Sequence, residues 1–274
     1  MPEQNRELKN RVREIRSHGS VRGQGRNGLA LLGKNMKLLL FAPVLLFAAN
    51  MVVSAADQAK DAQVLGEWKF DEGTGTNAVD SSGNGNDGTI VGAQYVKTKS
   101  GYCLKFNGKD NYVQYTLALK TPLNQGAFEA WASPDLDGYW LRKELSGVRR
   151  GEVICTGYIF IDLCNDCWQV RLLDGTGLFE VKGPKAANKQ WTHLALTWSL
   201  DNIAYFYVNG QEIEGSVPMR YPFPLGGQKQ ALTFNVGSQY MMPFNGLIDD
   251  VRLYDRDLTA AEIQKHYQDG LNRR

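Results

Sequence analysis

The sequence FNGLIDDVRLYDRDLTAAEIQKHY, residues 244–267, combines a strand pattern with a helix start. Its first part, Gly246–Tyr254, is rich in β-branched and aromatic residues and predicts a strand. Thr259 and Glu262 then form a capping-box pattern, and apolar residues recur at helical spacing from Ile263 onward. We therefore expect a strand followed by one short helix at this end of the chain.

The segments before this stretch also predict strands. From residue 64 onward, short β-rich segments alternate with turns of Gly, Asn and Asp, and no helical period interrupts them. We predict strands at Val64–Phe70, Thr89–Tyr95, Tyr102–Phe106, Tyr112–Tyr115, Gly126–Ser133, Gly157–Leu163, Trp168–Leu173, Trp191–Trp198, Ile203–Val208, Ala231–Val236 and Gly246–Tyr254. This pattern is typical of an all-β, two-sheet antiparallel sandwich, and it contains no linker that would divide the body into two domains.

Two hairpins are expected within this pattern. Asn209-Gly210 separates the strand Ile203–Val208 from Gln211–Ile213 and favours a type I′ turn, because both residues readily adopt positive φ. Cys-Asn-Asp-Cys separates Gly157–Leu163 from Trp168–Leu173 in the same way. Each turn therefore predicts a pair of adjacent antiparallel strands.

An apolar run near the beginning of the chain predicts export. Residues 38–53 are apolar, follow Met36-Lys37 and end in small residues at positions 54–56, as in a signal peptide that is cleaved. We therefore expect a signal peptide at 36–56 and a mature domain at 57–274. The expected location is outside the cytoplasm: secreted, periplasmic or at the cell surface, with no membrane insertion after cleavage.

Two other readings of the first 56 residues remain. Residues 1–35 have no apolar periodicity, so we expect them to be disordered or mis-assigned. The apolar run is also just long enough for an uncleaved membrane anchor, although Pro43 and Asn50 interrupt it.

The distribution of charge excludes one class of partner. The formal net charge is +2, but residues 1–56 carry nine Lys/Arg and three Asp/Glu, which leaves 22 basic and 26 acidic side chains in the body. An acidic body lacks the basic surface that neutralises phosphate groups. We therefore do not expect binding to nucleic acid.

Four cysteines in the body allow three disulfide pairings: Cys103, Cys155, Cys164 and Cys167. Export makes disulfides plausible, and no second Cys-x-x-Cys or His pair supports a metal site. We favour Cys164–Cys167 across the hairpin turn and Cys103–Cys155 as the other bridge.

Several segments, taken in order, resemble the laminin G-like family of concanavalin A-like jelly rolls. They are Gly66–Gly75, Asp80–Gly88, Leu104–Gly108 with Asn111–Val113, Phe128–Trp131, Trp191–Ala195, Tyr207–Gly210, and Phe244–Tyr254 with Leu258–Ile263. The resemblance covers about 200 residues and implies a jelly roll whose first and last strands lie side by side. It also implies an exported, non-catalytic binding module, either carbohydrate-binding or adhesive. The alternative is a protein-interaction or structural domain of a surface assembly.

Catalysis is not expected, although some concanavalin A-like proteins are glucanases. These enzymes carry a Glu-x-Asp-x-x-Glu run on one strand, which this sequence lacks. Glu129 has no such partners, and the adjacent Asp249 and Asp250 should point to opposite faces of a strand. His193 has no Ser or Cys motif to pair with, so we expect it to be packed. We therefore assign no catalytic residue.

The sequence also suggests a calcium site. Asp80, Asn84 and Asn86 gather hard oxygen ligands in a Gly-rich loop, and Asp249 could complete the shell where the last strand pairs near the first. Related jelly rolls often carry calcium near the ends of the sandwich. The alternative is that these residues simply form turns.

The longest departure from the family pattern is the basic and aromatic insert at 134–151. An exposed Trp can stack on a sugar ring while Arg binds hydroxyl or acidic groups, so we expect the insert to hold a polysaccharide or glycoconjugate, with acidic ones as a hypothesis. The candidate ligand-binding residues are Tyr139, Trp140, Arg142, Arg149 and Arg150, and Lys143 adds to the basic character of the insert. Alternatively, the insert covers the sandwich edge with Trp140 turned inward. The strand tryptophans Trp68, Trp131, Trp191 and Trp198 are expected in the core.

Overall fold

The computed structural model describes residues 64–137, 150–173, 177–201, 203–215, 217–218, 231–238 and 242–274. At residues 150, 217 and 218 it describes the backbone alone. All of them belong to one unit, Ala59–Arg274.

The described residues form seventeen strands and one helix. The strands are β1 (Val64–Trp68), β2 (Asn77–Ala78), β3 (Gly88–Val91), β4 (Gln94–Lys97), β5 (Tyr102–Asn107), β6 (Tyr112–Ala118), β7 (Gly126–Pro134), β8 (Arg150–Cys155), β9 (Ile159–Cys164), β10 (Cys167–Leu173), β11 (Leu178–Lys185), β12 (Thr192–Trp198), β13 (Ile203–Val208), β14 (Gln211–Glu212), β15 (Val217–Pro218), β16 (Ala231–Gly237) and β17 (Asn245–Tyr254). The helix, which we call α1, is Ala260–Leu271.

These strands form two antiparallel sheets. The nine-stranded sheet has the order β14-β13-β12-β7-β17-β5-β4, with β1 paired to β17 and β15 paired to β13. The eight-stranded sheet has the order β11-β10-β9-β8-β16-β6-β3-β2. The first and last strands lie side by side, as predicted, because β1 pairs with β17 from Val64 to Trp68. The predicted two-sheet antiparallel sandwich is confirmed.

Aromatic side chains fill the space between the sheets. The Trp68 ring lies 4.2 Å from that of Tyr115, and Tyr115 stacks on Phe234 at 4.6 Å. Phe128 of the opposite sheet meets Phe234 edge-on at 5.3 Å. Such contacts add about 0.5–1.5 kcal/mol each to the free energy gained by burying the rings.

Both predicted hairpins are present. Asn209 and Gly210 have φ values of 52° and 73°, as a type I′ turn requires. Asn165 and Asp166 are likewise at positive φ, and Cys164 lies opposite Cys167 in the register of β9 and β10.

One predicted strand is two strands in the structure. The segment predicted at Thr89–Tyr95 divides into β3 and β4, which belong to different sheets. The chain turns at Gly92, where φ is 73° and a Cβ would lie 2.3 Å from the Asn111 side-chain nitrogen. A larger residue would clash there, so glycine lets the chain pass from one sheet to the other. Strands β2, β8, β11 and β15 were not predicted.

The helix confirms the prediction made from the capping box. The Thr259 side chain accepts from the Glu262 backbone N–H, and the Glu262 carboxylate accepts from the Thr259 N–H. The helix packs on the outer face of the nine-stranded sheet, where Ile263 is buried beside Ala195 and Tyr254. No helix among the described residues has the length and apolar character needed to cross a bilayer.

The four cysteines are thiols in the structure, so neither predicted bridge is formed there. Cys103 lies on the outer face of the nine-stranded sheet near Asp249, whereas Cys155 lies on the outer face of the eight-stranded sheet near Glu152. The core separates these two thiols, and the Cys103–Cys155 pairing is therefore wrong. The register of the β9–β10 hairpin permits Cys164–Cys167, which stays a prediction.

Candidate functional site on the eight-stranded sheet

The candidate site lies on the outer face of the eight-stranded sheet. Side chains alternate between the two faces of a strand. In β9, Ile161 and Leu163 enter the core, while Asp162 between them points outward. In β10, Trp168, Val170 and Leu172 enter the core, and Gln169 and Arg171 point outward. All three outward side chains are nonetheless buried.

Arg171 joins two acidic side chains on this face. Its Nε donates to Asp162 Oδ2 at 2.5 Å, and its Nη2 donates to Glu152 Oε1 at 3.2 Å. The guanidinium also lies 4.5 Å from the centre of the Phe160 ring. Burial raises the pKa of Asp162 to about 6, even though the Arg171 charge opposes that shift. The group of Asp162, Glu152 and Arg171 therefore carries no net positive charge.

A cavity of about 550 Å³ opens beside Arg171. It is lined by Gln114, Glu152, Cys155, Thr156, Gly157, Phe160, Arg171, Thr233, Phe234, Asn235 and Met242. Gln114 and Asn235 face each other across β6 and β16. Five strands thus contribute to one wall that carries amide, hydroxyl, charged and aromatic groups.

Several polar atoms on this face are buried without a hydrogen-bond partner in the described part of the chain. They are Asn235 Oδ1, Asp162 Oδ1, and Nε2 and Oε1 of Gln169. Leaving such a group unpaired costs about 1–3 kcal/mol. A ligand or water molecule in the cavity would satisfy those atoms that it can reach.

The sequence carries part of the signal for this site. Asp162 interrupts an otherwise apolar strand, and Gln169 and Arg171 recur at every second position of the next. Local alternation shows that these residues share a face, but it does not show that Gln114 and Asn235 join them. Gln114 and Asn235 lie beside the outward residues of β9 and β10 because β16 pairs with both β6 and β8.

The predicted ligand-binding insert lies mostly outside the described residues. This holds for Tyr139, Trp140, Arg142 and Arg149, while Arg150 is described by its backbone alone. The backbone at residue 150 begins β8, the strand that carries Glu152 and Cys155 into the cavity wall. The end of the insert therefore leads directly into the candidate site.

The proposed calcium-binding loop is held by hydrogen bonds to β1. Asp80 accepts backbone N–H groups from Glu67, Ser82 and Asn86 at 2.9–3.0 Å. The side-chain nitrogens of Asn84 and Asn86 donate to the carbonyls of Val64 and Leu65, each at 2.7 Å. These contacts suit the turn-forming alternative. Calcium itself stays a prediction.

Asp249, the fourth proposed calcium ligand, forms an ion pair with Arg274. Asp250 binds the same guanidinium, with 2.5 Å between Arg274 Nη2 and Asp250 Oδ2. The expectation that the two aspartates point to opposite faces was wrong. A bulge interrupts the register of β17 between Asp249 and Arg252, and Asp250 has a φ of 46°, which turns both carboxylates to one side.

His193 is packed, as expected, on the outer face of the nine-stranded sheet. It shares this face with Glu129, whose carboxylate lies 3.0 Å from His266 Nδ1 and accepts from the Tyr254 hydroxyl at 2.8 Å. Burial opposes ionisation of Glu129, but the nearby His266 and His193 outweigh it and lower its pKa. The group lies beneath α1 and fastens the helix to the sheet.

Two of the four strand tryptophans belong to this outer face and not to the core. Trp68 and Trp198 lie in the core, as expected. Trp131 instead stacks on Tyr267 of α1 at 5.8 Å, and the Arg274 guanidinium lies over Trp191. Trp131 is buried as expected, but beneath α1 and not between the sheets, whereas Trp191 is only half-buried, because α1 and the residues after it cover a second apolar surface.

Sequence comparison identifies the family. Residues 107–264, more than half of the chain, match the Laminin_G_3 family, described as the concanavalin A-like lectin/glucanases superfamily. The chain belongs to this family. The matched range of this laminin G-like chain runs from the end of β5 into α1 and includes the whole cavity wall. No curated protein gave a significant match to the sequence.

Two solved structures similar to this laminin G-like chain are binding domains of botulinum neurotoxin. The receptor binding domain of botulinum neurotoxin D has a TM-score of 0.60 at 12% identity, over 76% of this chain and 53% of that one. The serotype D ligand binding domain in complex with N-acetylneuraminic acid has a TM-score of 0.58 at 13% identity, over 76% and 51%. This chain thus spans about half the length of the neurotoxin domains.

A third similar structure matches over nearly its whole length. It is domain 4 of AbnA, a GH43 extracellular arabinanase from Geobacillus stearothermophilus, in complex with arabinotriose. Its TM-score is 0.56 at 23% identity, over 75% of this laminin G-like chain and 98% of that domain. At these identities, the similarity shows the fold.

Proposed function

We propose that this chain is an exported, non-catalytic carbohydrate-binding module that holds its ligand against the outer face of the eight-stranded sheet. The observation that carries the proposal is the cavity beside Arg171, with the buried and unpaired Asn235 Oδ1 in its wall. Solved neighbours in complex with arabinotriose and with N-acetylneuraminic acid support a sugar as the ligand class.

The chemistry of the wall suits a neutral sugar. Gln114, Asn235 and Thr233 offer amide and hydroxyl groups that can both donate to and accept from sugar hydroxyls. Phe160 supplies an aromatic surface for the C–H groups of a sugar ring. Because Asp162 and Glu152 already neutralise Arg171, the cavity has no spare positive charge for an acidic sugar.

The insert supplies the second part of the proposed site. It joins β7 to β8, so it leads into the cavity wall. We propose that Trp140 extends the apolar platform for the sugar and that Arg142, Arg149 and Arg150 contact its outer substituents. An acidic polysaccharide would be favoured if these arginines, and not the cavity, dominate binding, and raising the salt concentration would then weaken it.

A glycan array tests the proposal on the protein from Asp57 onward, with and without calcium. Gln114→Ala and Asn235→Ala should each weaken binding of the best neutral glycan by at least tenfold, because each removes hydrogen bonds to the ligand. Gln94→Ala is the matched control, since Gln94 is exposed on β4 at the edge of the other sheet. Binding should be unchanged in this control.

Two outcomes would contradict this assignment. Equal binding by all three variants would place the ligand elsewhere. An array without any bound glycan would favour a protein-interaction or structural domain of a surface assembly.

Trp140→Ala tests the contribution of the insert. If Trp140 is an exposed platform, the substitution should abolish measurable binding while the melting temperature stays nearly constant, because an exposed side chain contributes little to folding. A large fall in melting temperature would show that Trp140 is a packing residue, contrary to the proposal.

Export is the remaining part of the proposed function. The proposal requires cleavage after the small residues at positions 54–56 and a mature chain that begins near Asp57. Mass spectrometry of the exported protein should find that N-terminus. An intact Met36, or a product that resists carbonate extraction from membranes, would contradict cleavage.

A further inference from the structure

A second built site lies on the opposite side of the sandwich, on the outer face of the nine-stranded sheet. The Arg274 guanidinium lies between two indoles, 5.0 Å from the Trp131 ring centre and 4.7 Å from the Trp191 ring centre. It donates to both Asp249 and Asp250. We call the four surrounding residues, Trp131, Trp191, Asp249 and Asp250, the guanidinium cage.

The sheet carries all four residues of the cage, and α1 contributes by stacking Tyr267 on Trp131. Trp131 on β7 lies directly opposite Asp249 on β17. Asp250 is turned to the same side by the bulge, and its backbone N–H donates to Asp249 Oδ1 at 2.9 Å. Trp191 lies just before β12, which pairs with β7. The four residues therefore come from three adjacent parts of one sheet.

The chemistry of the cage matches a guanidinium group. Two adjacent carboxylates can each accept from a different nitrogen of the planar fork, and the indole faces attract a flat cation. Asp249 and Asp250 are almost fully buried, and buried carboxylates require a paired cation. Within the cage, the occupant's side chain keeps only 5% of its surface exposed.

The occupant follows α1 and is attached by a short segment. The helix ends at Leu271, and Arg274 comes three residues later. Arg273 holds this segment at the rim, where its guanidinium contacts Asp250 at 3.0 Å and Asp71 at 3.1 Å. Arg273 keeps 30% of its side chain exposed, in contrast to Arg274. The cage thus distinguishes one arginine from its neighbour.

We infer that the guanidinium cage is a binding site for an arginine side chain, which Arg274 occupies from within the chain and which an arginine-bearing peptide can occupy in its place. The internal arginine competes at an effective concentration of the order of millimolar, as a group on a short tether does. A peptide therefore binds the intact chain only weakly, and it binds strongly once Arg274 is removed.

Isothermal titration of the Arg274→Ala protein tests this inference. The probe is an acetylated peptide with the sequence of residues 269–274, Asp-Gly-Leu-Asn-Arg-Arg. We expect this peptide to bind Arg274→Ala at least tenfold more tightly than the protein with Arg274 in place. A peptide ending in Lys should bind at least tenfold more weakly, because an ammonium group cannot make the two-nitrogen contact.

Two controls separate the cage from general electrostatic attraction. Arg273→Ala removes a neighbouring positive charge but leaves the cage filled, so it should bind the peptide no better than the unaltered protein. Asp249→Asn, added to Arg274→Ala, removes one carboxylate and should abolish the gained affinity. If Arg273→Ala gains as much as Arg274→Ala, or if Asp249→Asn has no effect, the inference is wrong.

Melting temperatures test the inference even if the Arg274→Ala protein is too unstable for titration. Millimolar methylguanidinium chloride should raise the melting temperature of Arg274→Ala, whereas methylammonium chloride should not. Neither salt should stabilise the unaltered protein, whose cage is filled. Equal effects of the two salts on Arg274→Ala would overturn the inference. This test is independent of the proposed sugar site, which lies on the other sheet.

Discussion

At the scale of single residues, the buried titratable groups influence stability in opposite directions. Burial lowers the pKa of His193 to about 4, although the charge of Glu129, 3.6 Å away, opposes the shift. Burial raises the pKa of Asp162 to about 6. Below pH 6.5 the unfolded chain protonates His193 before the folded protein does, so acid favours unfolding. For Asp162 the folded state takes up the proton first, so its contribution has the opposite sign.

His193→Gln should therefore change how stability depends on pH. The unaltered protein should lose on the order of 3 kcal/mol relative to the variant between pH 6.5 and pH 4, since one pKa unit corresponds to about 1.36 kcal/mol. Urea unfolding of both proteins at pH 7, 5.5 and 4 measures this difference. The contribution of Asp162 is common to both proteins and cancels. Parallel pH profiles would show that His193 does not titrate as its burial requires.

At the scale of elements, the docking of α1 depends on a close approach between helix and sheet. Gly270 lies in the last turn of the helix, directly against the Trp131 indole. A Cβ at Gly270 would lie 2.5 Å from the Trp131 ring, closer than a carbon–carbon contact permits. Glycine at position 270 therefore allows the helix to contact Trp131, although glycine lowers the stability of the helix itself.

Gly270→Ala should destabilise the protein even though alanine favours the helix by about 1 kcal/mol. We expect a net loss of about 1–3 kcal/mol, the usual cost of overpacking. Gln268→Ala is the control, because Gln268 is exposed on the same helix and should change stability by less than about 0.5 kcal/mol. Thermal unfolding measures both. A stabilised Gly270→Ala protein would show that helix propensity outweighs the contact with Trp131.

At the scale of the whole molecule, the loop from Asp80 to Asn86 holds the first strand, β1, beside the last strand, β17. This loop binds the backbone of β1, and β1 pairs with the last strand, β17. A ligand bound to this loop would therefore stabilise the pairing of β1 with β17. Calcium remains the predicted ligand, on the grounds of the oxygen-rich loop alone.

Calcium should raise the melting temperature after exhaustive chelation. A site saturated a hundredfold and present only in the folded state would add about 2.7 kcal/mol to the free energy of unfolding. Magnesium at the same concentration is the control, since its smaller ion demands stricter octahedral geometry. Asn84→Ala should reduce the calcium effect if that side chain is a ligand. No shift with calcium would leave the loop as a purely hydrogen-bonded turn.

The fold class and most of the local elements could be predicted from the sequence. Alternating β-rich segments predicted the strands, Asn209-Gly210 predicted a type I′ turn, and Thr259 with Glu262 predicted the helix. These signals are local, because side-chain alternation, turn conformation and helix capping each depend on a few neighbouring residues. Local signals did not predict that Thr89–Tyr95 divides into two strands of different sheets.

Which outer surfaces of the sandwich become sites depends on contacts between distant segments. One cavity brings together Gln114, Asn235 and Arg171 because β16 pairs with both β6 and β8. These residues are far apart in the sequence, so no local pattern predicts that they lie close together. Asp249 and Asp250 converge on Arg274 because a bulge breaks the alternation on which the sequence argument relied. Strand order and bulges depend on long-range pairing and on packing across the sheets, so they are not encoded in any single segment.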